Sequence, residues 1–220
     1  DAQTWALNEL GRAFARIGEP KSSITLREIH NTKASEINLA IGLGNLAQQQ
    51  LVIGAIRESE HNLRRRIDLS RKFEDDGREA ISHQDLGAVL SYRGVWKEAE
   101  DELTIAEKVF DKYGAGLTNF VSVVRADRAL CFLLMAKQQI DSSHSPLISV
   151  KSGIEFARHA LELAEETARS QYPFLRDYIQ AYWLLGAGYR MNNELNKAEE
   201  NLSKALNLCR QINSVDTEAN

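Results

Sequence analysis

Five histidines, two cysteines and scattered carboxylates are the residues of this 220-residue chain that could do chemistry, and their spacing decides whether they can. A helical zinc site needs two histidines one turn apart and a third donor, as in H-E-x-x-H. His30, His61, His83, His144 and His159 never fall at that spacing. Glu58 and His61 share a helix face, but two ligands do not make a metal centre. Cys131 lies among Leu130, Phe132, Leu133 and Leu134, where burial raises a thiol pKa and leaves the group inert. Asp75-Asp76 and Glu165-Glu166 are sequence neighbours that point different ways on a helix, so neither makes an acid/base pair. Gly114-Ala115-Gly116 lacks the Gly-Lys-Ser/Thr of a phosphate loop and reads as a turn. With no catalytic set assembled, the expectation is a non-enzymatic chain with no metal or other cofactor.

Composition narrows the class further. Apolar residues make up 43% and charged residues 26%, enough for a packed core, and only Pro20, Pro146 and Pro173 interrupt good helix formers. The net charge of −4 argues against nucleic acid as a partner, because phosphate binding needs a basic face. The run Arg64-Arg65-Arg66 is interleaved with Glu58, Glu60, Asp68, Glu74 and Asp75 and reads as a solvated helix face. Cys131 and Cys209 sit inside apolar helical patterns and suit buried fillers in a reducing compartment. The longest apolar stretch, Ala129 to Ala136, is far short of the ~20 residues that span a bilayer. The expectation is therefore a cytoplasmic chain with no membrane partner.

Along the chain, the apolar spacing repeats. Tyr182, Leu185, Gly186 and Tyr189 lie on one helical face, then Asn192-Asn193 makes a turn, and Ala198, Leu202, Ala205 and Leu206 form a second stripe. His83, Leu86, Gly87 and Leu90, then Gly94, then Ala99, Leu103 and Ala106 repeat the arrangement. Leu7, Leu10, Gly11 and Phe14, with Gly18 and Pro20, give another copy. Leu43, Leu46, Ala47, Gly54, Ser59, Leu63 and Ile67 give a weaker one. Leu10, Leu46 and Leu86 are 36 and 40 residues apart, whereas Leu86 and Leu185 are 99 apart, so a further lengthened copy must lie between. Its first helix is expected near Asn119–Gln138 and its second near Ser149–Ser170, around a polar loop.

These residues resemble the tetratricopeptide repeat, W-x2-L-G-x2-Y followed by A-x3-F and A. The fit is best as Tyr182-x2-Leu185-Gly186-x2-Tyr189 with Ala198, Leu202 and Ala205, while Arg27 and Gln50 stand where large apolar groups are usual. The resemblance implies an all-α, right-handed α-solenoid of about five antiparallel helix pairs in a single domain over 1–220. The approximate repeats are 4–36, 40–73, 80–112, 119–170 with a loop insertion at 139–148, and 179–213. Repeats near 40 residues with long second helices, and the closing run from Ala205 to Ala219, resemble those of NB-ARC/STAND-type signalling ATPases. The chain reads as a fragment of a longer protein of that kind.

What the resemblance implies for function is a protein-interaction scaffold or sensor module that binds a peptide or protein segment in a concave groove. The alternative is a ligand- or peptide-sensing regulatory domain, as in helical bacterial transcription regulators. The family's groove positions fall on Asn8, Arg12 and Arg16 in the first repeat, Gln48 in the second, Gln84, Ala88 and Tyr92 in the third, and Trp183, Ala187 and Arg190 in the fifth. Arg125 and Arg128 join them on polarity alone. A carboxylate clamp of the chaperone-binding kind is not reproduced, since Ile81 and Asp85 occupy its later basic places. Self-association through exposed solenoid ends is a further expectation.

Overall fold

Ten α-helices, and no strand, make up the regular structure among the described residues. A computed structural model of the chain describes residues 2–113, 117–142, 147–170 and 172–212. The helices are α1 (Ala2–Arg16), α2 (Pro20–Lys33), α3 (Glu36–Val52), α4 (Ile56–Lys72), α5 (Asp76–Arg93), α6 (Trp96–Tyr113), α7 (Thr118–Asp141), α8 (Leu147–Ser170), α9 (Leu175–Met191) and α10 (Leu195–Ile212). Each packs on the next, giving five antiparallel pairs in one line, an all-α helical repeat solenoid.

One register runs through all five pairs. Gly87 carries no Cβ because one there would sit 2.6 Å from Leu103 Cγ and 3.1 Å from the Ala99 carbonyl oxygen of its partner helix. Gly186 meets Leu202 and Ala198 the same way, at 2.5 and 3.2 Å. Gly11, Ala47 and Ala129 hold the equivalent places: Gly11 faces Arg27 and Ser23, Ala47 accepts a bond from Ser59 Oγ, and Ala129 faces Gly153. Small residues at this point bring two backbones close enough for the large ones around them to interlock.

The turn inside each pair follows the same register. Seven residues after Gly11, Ala47, Gly87 and Gly186 come Gly18, Gly54, Gly94 and Asn193, all left-handed, with φ of 76°, 78°, 76° and 60°. The amide after each returns to a carbonyl five residues back: Glu19 to Phe14, Ala55 to Gln50, Val95 to Leu90 and Glu194 to Tyr189. This closes the helix and starts the next. In α7 the equivalent residue is Ala136, which stays helical and buried. The helix therefore runs on to Asp141, and its partner α8 begins at Leu147. The extra residues of the fourth repeat lengthen two helices to 24 residues each, where the sequence suggested a loop over 139–148. Residues 143–146 of that loop lie outside the described residues, as does residue 213 of the fifth repeat.

The core is uneven along the stack. The largest apolar cluster joins α7, α8 and α9 through Ala129, Leu133, Ala136, Val150, Ile154, Ala157, Leu184 and Leu185. A second joins α3 to α7 through Ala47, Leu63, Leu86, Leu90 and Cys131, and a third surrounds Phe110 and Val124. No buried residue of α1 or α2 belongs to any of the three. The first pair instead buries Ser23, Arg27 and His30. Arg27, 5% exposed, donates to Ser23 Oγ at 3.0 Å and Asn8 Oδ1 at 3.4 Å. Gln50 accepts from Asn62 Nδ2 at 2.8 Å. The two departures from the repeat pattern are thus polar cores that satisfy themselves.

Candidate partner-binding face

The face in question is the side of the first helices turned away from their partners. Relative to the shared small residue it comprises positions six and three before, and one and five after. In α1 these are Trp5, Asn8, Arg12 and Arg16; in α3 they are Ile41, Gly44, Gln48 and Val52, of which Gly44 is buried against the Arg66 side chain of α4. Trp5 is 69% exposed, Ile41 38% and Val52 68%. Large apolar side chains held in water at regular spacing cost free energy, so their presence here calls for a use. Arg12 pairs with Glu9 on its own helix, and Arg16 and Gln48 are exposed. Asn8 is spent on structure, since its Oδ1 accepts from Asn45 of α3 and Arg27 of α2.

Toward the C-terminal end the same positions close. In α7 they are Val123, Ala126, Leu130 and Leu134, with Ala126 and Leu130 2% and 7% exposed. The reason is direct contact: α5 touches α7 and α7 touches α9, while α1, α3 and α5 approach each other less closely. Gln84, a candidate from its register, is buried, and its Nε2 donates to Asp127 Oδ2 at 2.9 Å. Gln180 of α9 donates to the other oxygen, Oδ1, at 3.2 Å. One carboxylate thus ties three first helices together.

Asp127 is the residue that sequence reasoning missed. It is 5% exposed and receives two neutral amides, so burial pushes its carboxyl up to about 7. Asp85 adds repulsion from nearby, itself raised by burial although Arg66 NH1 of α4 donates to it at 3.0 Å. Tyr92, 44% exposed, borders this knot, and its phenol is raised by burial and by the Asp127 charge. The signal was present in the sequence: Asp127 is the one acid between Asn119 and Gln138, a strongly apolar stretch.

Arg125 and Arg128 do not reach this face. Both turn toward α6, where Arg125 NH2 lies 2.6 Å from Glu107 Oε1. Arg128 pairs with Glu107 and with Glu100 (3.0 Å), and donates to Thr104 Oγ1 at 2.7 Å. Both guanidiniums sit 5.7 Å from the Phe156 ring. Basic side chains on a long apolar helix suggested a ligand, yet two acids on the preceding helix neutralise them. Trp183 packs half-buried against the α7–α9 core, with Ala187 beside it, and only Arg190 of the fifth-repeat candidates is exposed.

His83, 3% exposed, is held by Glu102 and Glu79 and lies 3.3 Å from Arg71. Burial raises the Cys131 thiol. Among the described residues no group of three or more His, Cys, Asp or Glu is placed to hold a metal ion, and no helix is long and apolar enough to cross a membrane.

Solved structures share this fold. The chain is similar to the nearly identical TPR-like repeats of a kinesin light chain-like protein from Podosopora anserina (TM-score 0.61, 16% identity, 94% of this chain and 95% of that one). It is similar also to BtubC (BKLC) from P. vanneervenii (TM-score 0.60, 14% identity, 94% and 80%). A third likeness is to the apo form of RapI (TM-score 0.60, 12% identity, 96% and 85%). The fold is a TPR-like solenoid. No protein-family model and no curated protein sequence matches the chain.

Proposed function

We propose that the chain is a protein-interaction scaffold, holding a segment of a partner protein against the exposed side of α1 and α3, up to Tyr92 on α5. One observation carries this: Ile41, Gln48 and Val52 form a single exposed stripe on α3, with Trp5 on the preceding first helix and Tyr92 on the following one. Aromatic and aliphatic anchors ringed by polar groups are what gives an interface its energy. Arg16 at the rim favours a segment with an acid beside its apolar residues. The Arg-lined groove expected from sequence shrinks to this N-terminal stretch, because Arg125 and Arg128 are already neutralised.

Selection of peptides from a displayed random library tests the reading. The wild-type chain should enrich apolar sequences carrying an acid, and Ile41→Asp with Val52→Asp should lose them by ~30-fold or more. Leu134→Asp, on the closed stretch, should keep them. Enrichment unaffected by the α3 pair removes the reading.

The finer context, a sensor segment of a STAND-type signalling ATPase, rests on repeats near 40 residues and on the closing run alone. A parent sequence without a nucleotide-binding domain would remove it and leave the scaffold. The ligand-sensing alternative would draw on the cleft between α8 and the α9–α10 turn, lined by Lys151, Arg158, Tyr189 and Glu194.

A further inference from the structure

The repeat register allows one internal junction of the stack to be compared with another. Where α4 meets the turn between α5 and α6, four charged side chains close the surface. Arg64 donates to Glu60 Oε1 through Nε at 3.0 Å and NH2 at 2.8 Å, and to Glu98 Oε1 at 2.7 Å. Arg93 pairs with the other oxygen of Glu60. Two cations meet two acids, and the charges cancel. Shifted by two repeats, the same places lie where α8 meets the turn between α9 and α10. There Arg64 becomes Arg158, Arg93 becomes Asn192, Glu60 becomes Ile154 and Glu98 becomes Lys197. The arginine that joined both acids remains, and both acids are gone.

In place of the ion-pair lattice there is an open cleft of about 280 Å3, into which Lys151, Arg158 and Lys197 bring positive charge. Ile154, 6% exposed, forms its apolar base, packed so closely on α9 that a Cβ at Gly188 would lie 2.6 Å from Ile154 Cγ1. Arg158 donates to the Tyr189 phenol rather than to a carboxylate, and Lys197 Nζ stands 5.2 Å from the centre of the same ring. The lining holds two acids. Glu194 is occupied by Asn192 Nδ2 at 2.6 Å and by Lys197 Nζ at 2.5 Å, while Glu155 acts on Arg158 only from a distance. With Glu194 taken up, the cations outnumber the acids left to pair them, and such a cleft concentrates anions.

We propose that this cleft binds the anionic group of a small molecule, a carboxylate or a phosphate, seated on Arg158 as the Glu98 carboxylate is seated on Arg64. Arg158 gives the contact its direction, because a guanidinium offers paired N–H groups to either anion, and Lys151 and Lys197 add charge without fixed geometry. The site lies away from the exposed side of α1 and α3 and stands independently of the scaffold reading. Its cations are exposed to water, so a bare anion should bind with a Kd of roughly 1–10 mM.

Nuclear magnetic resonance titration of the isotope-labelled 220-residue protein tests this, with inorganic phosphate in one arm and acetate in the other at constant ionic strength. Saturable shifts are expected at the Arg158 side-chain N–H and at the amides of Tyr189, Asn192 and Lys197. Whichever anion saturates at the lower concentration names the acid the ligand carries. Arg158→Gln and Lys197→Glu, both at exposed sites, should keep the wild-type helical circular dichroism. The first should weaken that anion at least ~10-fold. The second restores the acid that stands at Glu98 and should abolish saturation by pairing with Arg158. Shifts that saturate with neither anion below about 50 mM, or that spread evenly over the exposed lysines and arginines, overturn the proposal. So does saturation that survives unchanged in either variant.

Discussion

The first helix pair and the last three helices with a common core obey the same register with different chemistry. Around α7, α8 and α9 the space between helices is filled by alanines, leucines and Ile154, and the first helices touch. Around α1 and α2 it is filled by Ser23, Arg27 and His30, no apolar cluster reaches in, and the first helices approach less closely, joined by the Asn45–Asn8 bond. A polar core satisfied by its own hydrogen bonds contributes little net stability, whereas buried apolar area contributes about 25 cal/mol per Å2. The contrast assigns different tasks to the two ends: the C-terminal part holds its shape, and the N-terminal part leaves Trp5, Ile41 and Val52 uncovered for something else.

Substitutions at equivalent positions should expose that contrast most strongly. Leu133→Ala, in the C-terminal core, is expected to lower unfolding free energy by about 2–5 kcal/mol in urea titrations. Arg27→Met in the first pair should change it by no more than about 1 kcal/mol, in either direction, because a desolvated cation is exchanged for apolar packing. Equal losses at the two sites would break the comparison.

The pH dependence of the closed part comes next in size. Asp127 has a folded pKa of about 7, above its unfolded value of 3.8, so the folded state holds its proton more firmly. Stability from this group is therefore fully present below pH 4 and is lost as pH rises through 7, by roughly 2–4 kcal/mol. Asp177, raised to about 6 by burial, acts with the same sign. Asp127→Asn should flatten the fall in melting temperature between pH 5 and 8 without abolishing it. A slope unchanged by that substitution would separate Asp127 from the effect.

Smaller again is the difference between two glycines. A Cβ at Gly186 would enter Leu202 at 2.5 Å and the Ala198 carbonyl oxygen at 3.2 Å, so Gly186→Ala should destabilise by about 1–3 kcal/mol. At Gly11 the nearest atom is Cγ of the flexible Arg27 side chain, 3.2 Å away, and Gly11→Ala should cost under about 1 kcal/mol. Thermal melts of the two variants side by side rank them.

The sequence carried the architecture because its rules are local. A small residue, a left-handed glycine seven positions later and an apolar stripe on each side suffice to place a helix pair, and Arg27 and Gln50 stood out as breaks in the pattern. The 99-residue gap between Leu86 and Leu185 shows that a lengthened repeat lies there, but not the absence of a stop: with Ala136 where Gly94 or Asn193 stands, α7 continues. The face was harder to read. Whether Gln84 lies open or buried depends on how near α5 comes to α7, and that distance is set by packing across two repeats. Arg125 and Arg128 are claimed by Glu100 and Glu107 on another helix, which no spacing within α7 reveals. Asp127 is legible as the one acid between Asn119 and Gln138, a polar group set in an apolar stretch.

Native-state hydrogen exchange tests the central contrast most directly, because it reads the stability of each helix in place. The account predicts that amides of α7, α8 and α9 exchange slowest, and those of α1 and α2 at least ~100-fold faster, by local opening of the first pair. Uniform protection along all ten helices, or slowest exchange in α1 and α2, would contradict it.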